Sequence, residues 1–187
     1  MNIAKTLLAG ILLLAAPSAA SATTIVAQTL QEMATTSDLI VLGVVTETHA
    51  ELEDGNIVTL TEIEVEQQWG PAASGATTIT VVTPGGRVGD LATRVAGTET
   101  FNPGERVVIY LRRNGDDRFS SSALAFSKFT VRAGDTEPIA FREADGTMMI
   151  LGPDGLPVVG NSDEYPSFVP LDDLLDTIVI PDPADAP

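Results

Sequence analysis

Cysteine is absent from all 187 residues, and histidine occurs once, at His49. Without cysteine there is no thiol nucleophile, no thiolate-ligated zinc and no disulfide framework. One histidine excludes a multi-histidine metal site within a single chain. A Ser-His-Asp triad is arithmetically possible, but the G-x-S-x-G elbow that marks one common setting for it is missing. His49 lies among Glu47, Thr48, Ala50 and Glu51 and reads as a solvated histidine near a strand end. Basic residues are scarce: 10 Lys and Arg face 26 Asp and Glu, for a net charge of −16. Such a chain repels phosphate backbones and anionic lipid, so nucleic acid and membrane surfaces are poor partners.

The one long apolar run, Leu7 to Ala16, is too short to cross a bilayer comfortably, since a spanning helix needs about 20 residues. Lys5 precedes it, Pro17 breaks it, and Ala20 and Ala22 take the small-residue positions before Thr23. This pattern predicts a cleaved secretory signal over 1–22 and a secreted or periplasmic protein; a cut after Ala20 competes with the one after Ala22. Losing Lys5 moves the charge from −16 to −17, and 187 − 22 leaves 165 residues, enough for one domain with its own core. Export permits disulfides, so a cysteine-free fold must be held by its core.

The mature sequence is rich in strand signals. Thr29-Leu30-Gln31-Glu32 has capping-box spacing and predicts a short helix ending near Thr36. Leu39 to Val45 is almost continuously apolar and predicts a strand buried on both faces or curled inside a barrel. Glu53-Asp54-Gly55-Asn56 predicts a hairpin turn into a strand from Ile57 to Gln67, where Thr61, Ile63 and Val65 alternate with Glu62, Glu64 and Glu66. The glutamates read as a solvated face, not as metal ligands. Further strands are expected at Thr77 to Val82, Arg106 to Leu111 and Phe119 to Val131. Turns are expected at Asn102 to Glu105 and Asn114 to Asp117, and the latter has too few spaced oxygens for a helix-loop-helix calcium site. Thr83 to Gly89 reads as a glycine-rich loop without the Lys-Ser/Thr ending of a phosphate-binding loop. Short pieces at 138–142, 147–151 and 156–159, punctuated by Asp145-Gly146 and Asp154-Gly155, read as hairpins, and Pro170 to Asp176 as a short helix with Pro in its first position.

Five main strands with turn-rich connections predict a mainly β domain over 23–180: a small five-stranded OB-like barrel with short flanking helices, a C-terminal hairpin extension, and a frayed tail at 181–187. Trp69, Tyr110, Phe119, Phe126 and Phe129 are expected in its core more than on a binding face.

Four tracts, in order, resemble the inhibitory domain of the tissue inhibitors of metalloproteinases and netrin-like domains more broadly. They are Ser37-Asp38-Leu39-Ile40-Val41, Val82-Thr83-Pro84 with Val88-Gly89, Glu105-Arg106-Val107-Val108-Ile109, and Ser167-Phe168-Val169-Pro170 with Leu174. The resemblance implies a mature N-terminus whose free amine and first carbonyl bind the zinc of a secreted metalloprotease. An α-amine with pKa near 8 loses its proton readily enough to serve. Counting back 14 residues from Ser37 reaches Thr23. On this resemblance the partner-binding edge comprises Thr23, Thr24, Ile25, Pro84, Arg87, Val88 and Gly89, with Thr24 entering the protease pocket. The chain departs from the family in lacking every cysteine, in carrying a helix signal near Thr29, and in having a longer stretch at 112–166.

Nothing in the sequence points to a cofactor or to a metal of the protein's own. The chain reads as an exported binding module rather than an enzyme: a metalloprotease inhibitor, or a non-inhibitory protein- or glycan-binding domain. A pair of carboxylates would suffice for a hydrolase, and among 26 acids the sequence does not locate one.

Overall fold

A computed structural model describes residues 23–115, 117–143, 148–158 and 164–178; the expected signal, the Asp145-Gly146 turn and the tail lie outside them. The chain is mainly β. β1 spans Thr23–Val26, α1 Leu30–Thr36, β2 Leu39–Glu53, β3 Asn56–Trp69, β4 Thr78–Pro84, β5 Gly86–Val88 and β6 Leu91–Thr93. After these come β7 Arg106–Arg113, β8 Arg118–Ser121, β9 Lys128–Arg132, β10 Ile139–Phe141, β11 Met148–Leu151, β12 Phe168–Pro170 and α2 Leu171–Asp176. Eight strands form one sheet in the order β12-β10-β9-β7-β2-β3-β4-β8, and β7 also pairs with β8. The β4–β8 pairing is parallel, whereas β2, β3, β4 and β7 pair antiparallel along the sheet. β8 therefore bonds to both ends of the β7-β2-β3-β4 run, making a circuit of pairings.

The expected local signals form as the sequence predicts at α1 and at the first hairpin. Thr29 caps α1 with a complete capping box, and Asp54 and Gly55 take positive φ values of 50° and 82° in a two-residue turn. Residues 39–45 of β2 and 107–111 of β7 are almost continuously apolar because both stretches are shared by two cores. Leu39, Val41, Val45, Val107, Ile109 and Leu111 pack with Ile63, Ile79, Val81 and Phe119 in an inner core. Ile40, Leu42, Val108 and Tyr110 face the opposite way, under α1, α2, Phe126 and Phe129. The predicted aromatic core holds: Tyr110, Phe119, Phe126 and Phe129 are buried, and Trp69 is half-buried against the outer core.

Several boundaries differ from expectation. The strand predicted over Phe119 to Val131 is split into β8 and β9, because residues 122–127 leave the sheet and fold through local turns. The glycine-rich loop contains half of a small hairpin, β5–β6, turned at Gly89. Residues 148–151 do not return on 139–141; they pair parallel with β1. The Asp154-Gly155 turn does close a short hairpin, bridging Leu151 to Pro157. Pro170 sits at the N-cap of α2, one position earlier than expected.

Two irregularities in the β2–β3 ladder aim side chains. Register shifts fall between Leu42 and Gly43 and between Val45 and Glu47. The second leaves Thr46 as an extra residue, so β2 exchanges faces and Thr48 joins Thr61 on the inner side. At the first, Gly43 is pressed against β3: a Cβ there would run into the Glu64 carbonyl oxygen and lie 2.8 Å from Ile63 Cγ2.

Two substitutions separate these effects. Thr29→Ala, which removes one cap, should lower unfolding free energy by about 1 kcal/mol. Gly43→Ala should cost clearly more, since backbone of the central hairpin must move. Urea denaturation of both variants measures the order, and Gly43→Ala as stable as Thr29→Ala would contradict it.

Candidate functional site

The connection from β4 to β7 builds a cleft. Gly85 (φ 99°) and Gly86 (φ 135°) turn the chain at the end of β4. Gly86 crosses so close to the first hairpin that a Cβ would meet Thr59 Oγ1 at 2.6 Å and Ala50 Cβ at 2.8 Å. Only glycine fits that approach. The β5–β6 hairpin thus stands over the inner ends of β2 and β3, and residues 94–101 return beneath it. Between them lies a cleft of about 520 Å³, lined by Thr48, Thr59, Thr83, Arg87, Thr93 and Glu99 among others.

A smaller cavity of about 180 Å³ shares Thr98, Glu99 and Thr100 with the cleft and adds Ala125, Lys128, Thr130 and Glu143. On the outer side, a groove of about 340 Å³ runs between the β2–β3 and β5–β6 hairpins. It is lined by Leu52, Ile57, Val58, Leu91 and Val95 and shares Pro84, Gly85 and Thr93 with the cleft. Leu52 and Leu91 are 58% and 63% exposed there.

At the small cavity beside the cleft lies a buried charge cluster. Lys128 Nζ donates to Glu105 Oε1 at 2.7 Å and to the Thr100 carbonyl, and lies 4.9 Å from the centre of the Phe101 ring. Thr130 Oγ1 donates to the same Glu105 oxygen, and the Asn102 N–H donates to the other. Burial pushes the Glu105 carboxyl up, but the bonds from Lys128 and Thr130, the Lys128 charge and the Asn102 N–H outweigh it and hold the group below its ordinary value. Glu99 is different. It is 5% exposed, and among the described residues neither carboxylate oxygen has a hydrogen-bond partner. Desolvation raises its pKa; its own backbone N–H, the nearby Ser121 hydroxyl and the Lys128 charge only soften that rise, and none of them makes a well-formed bond to it.

A second buried polar pair lies in the outer core. Arg142 sits over the Phe126 and Phe129 rings at 3.8 and 4.3 Å and donates to the Pro166 carbonyl. Burial draws it down to about 9, so it keeps its charge at neutral pH, while the buried Tyr110 hydroxyl is pushed up to about 12. Neither residue lines any of the cavities above. This pair reads as packing, with the guanidinium held by cation–π contact.

Of the expected edge, Pro84 and Arg87 line the cleft, and Val88 and Gly89 stand at the end of β5 and in its turn. Thr23, Thr24 and Ile25 belong to a different two-stranded sheet, laddered to Met148, Met149 and Ile150. Ile25 packs toward the outer core. β1 thus takes β11 as its partner, and β5 takes β6. His49 is exposed, 4.0 Å from Glu47. Glu66 leaves the glutamate row to pair bidentately with Arg106. No group of three or more His, Cys, Asp or Glu among the described residues is placed to hold a metal ion. Glu99, Lys128 and Thr130 carried no sequence signal, because the burial that distinguishes them comes from strands far apart in the chain.

Two stability measurements follow. Lys128→Met leaves Glu105 buried without its cation and should cost about 3–5 kcal/mol, largely recovered by adding Glu105→Gln. For Glu99, the native state keeps its proton to higher pH than the unfolded chain, so stability falls as pH rises above the ordinary value of 4.5. Glu99→Gln should therefore gain stability relative to the parent at pH 8 and gain little at pH 4; urea curves at both pH values decide this.

No protein-family model, curated protein or solved structure matches this chain, so the functional reading rests on the chemistry of the cleft and groove.

Proposed function

We propose that this chain is an exported binding module, folded as a five-stranded OB-type barrel, that holds a partner along the groove between its two hairpin tips and in the cleft behind it. The barrel reading is supported by the circuit β2-β3-β4-β8-β7, in which the third and fifth of these strands in chain order run parallel. That connectivity is the OB arrangement, whose ligands lie across the barrel face and its loops. The observation that carries the binding reading is the apolar groove. Leu52, Leu91 and Val95 stay exposed along one trough beside the two hairpins, while most large apolar side chains of the strands are buried. Exposed apolar residues gathered along one trough mark an interaction site more often than scattered ones do. The mouth is polar and threonine-lined, which suits a partner whose apolar residues enter the groove and whose polar groups reach the cleft.

The metalloprotease-inhibitor reading stands second. In its favour, Pro84 and Arg87 border the cleft beside the groove. It requires the Thr23 amine at that same edge, whereas the Thr23–Val26 strand is committed to Met148–Leu151.

A photo-crosslinking residue placed at Leu91 should capture a partner in the producing culture, and one at Asp135 should not. Excess parent protein should compete for that adduct, and the Leu52→Ser, Leu91→Ser double variant should fail to compete. Equal capture at both positions, or equal competition by the double variant, would sink the groove. Intact mass of the exported protein tests the start at Thr23. If the inhibitor reading holds, one added N-terminal residue abolishes inhibition of a secreted zinc protease.

A further inference from the structure

We propose that the small cavity beside Glu99 is a binding pocket for a protonated primary amine, the head group of an alkylammonium. The inference rests on the reading of the cleft as a binding site and adds the chemistry of what enters its deepest part.

Three observations carry it. First, Glu99 is 5% exposed, both its oxygens lack partners among the described residues, and it forms wall of both the cleft and the small cavity. A buried carboxylate without a donor is costly, and a ligand that supplies N–H donors and a positive charge removes that cost. Second, the surrounding charges leave one negative position uncompensated. Lys128 already gives its hydrogen bonds to Glu105 and the Thr100 carbonyl. Those two opposite charges cancel and leave Glu99 alone. Glu143, on the segment after β10, lines the same cavity and reaches Arg132 only at 3.4 Å on the exposed side. Among the described lining residues of the small cavity Lys128 is the one cation, and its ammonium is already engaged as above; Arg87 and Arg94 line the larger cleft instead. Third, the size fits. About 180 Å³ corresponds to roughly six water-sized atoms, the bulk of a butylammonium group. The Ala125 methyl on its wall suits the alkyl stem.

Other occupants fit less well. An anion would meet Glu99 and Glu143. A hard divalent cation wants six or more oxygens, and no suitable acidic or histidine cluster exists among the described residues. A neutral alcohol leaves the Glu99 charge unbalanced. The amine has two natural sources, a free small amine or the lysine side chain of a partner segment lying in the groove, and the chemistry at Glu99 is the same for both.

The test titrates the full exported protein with n-butylamine, which is protonated at neutral pH, and with n-butanol as its uncharged isostere. Backbone amide shifts of Thr98, Glu99 and Ala125 are followed by NMR. Saturable shifts with butylamine and none with butanol are expected. Glu99→Gln should weaken amine binding at least tenfold while its spectrum stays that of a folded protein. Glu143→Gln, on the exposed side, should weaken it by roughly two- to threefold. Affinity should be at least as high at pH 8 as at pH 5, because the amine keeps its charge over that range and the Glu99 carboxyl can only lose its proton as pH rises. A short acetylated peptide with one central lysine separates the sources: tighter binding than butylamine assigns the pocket to a partner's side chain, and weaker binding assigns it to a small amine. Equal response to butanol, undiminished binding by Glu99→Gln, or affinity that falls from pH 5 to pH 8 would overturn the proposal. The crosslinking at Leu91 is independent of all these readouts, so a failed pocket and a failed groove are told apart.

Discussion

The fold depends on residues 39–45 of β2 and 107–111 of β7 being buried on both faces. A strand with solvent on one side can alternate apolar and polar residues; these two cannot, because one set of side chains fills the inner core and the other lies beneath α1 and α2. The two flanking helices are therefore part of the protein's stability. Without them Ile40, Leu42, Val108 and Tyr110 would form an apolar face in water. A chain without disulfides has few alternatives to this double burial, and the two cores together do the work that crosslinks do in many small exported domains.

The same arrangement explains where polarity is tolerated. The inner core ends where β9 contributes Lys128 and Thr130 in place of apolar residues, paired in register with Ile109 and Val107. Charge enters there because the β4–β7 connection brings Glu99, Thr100 and Glu105 to meet it. Lys128 and Glu105 satisfy one another. Glu99 is the member left over, and that imbalance distinguishes the cleft from ordinary surface. Backbone geometry serves the same end: the Thr46 bulge turns Thr48 toward the cleft, and Gly85-Gly86 let the β5–β6 hairpin cross above it.

The proposed binding role rests on two hairpins set around a concave end. The apolar groove offers area, the threonine-lined cleft offers hydroxyls, and Glu99 offers a single charge with little freedom to move. A partner that satisfies all three would be recognised by shape outside and by charge inside. The N-terminal strand is laddered to β11 and contributes to the cover of the outer core through Ile25.

The sequence by itself determined the pieces whose causes are local. The capping box at Thr29, the Asp54-Gly55 turn, the alternation along β3 and the double burial of Leu39 to Val45 all follow from residue spacing and backbone preference. What only the tertiary structure decided depends on who meets whom. Residues 119–131 read as one strand until the turns at 122–127 split them, and residues 148–151 find β1 instead of their sequence neighbours. Glu99 and Lys128 look in the sequence like any acid and any base. Their burial and their partners come from segments about 30 residues apart brought together by the sheet, and desolvation, which gives Glu99 its character, has no signature in a linear pattern.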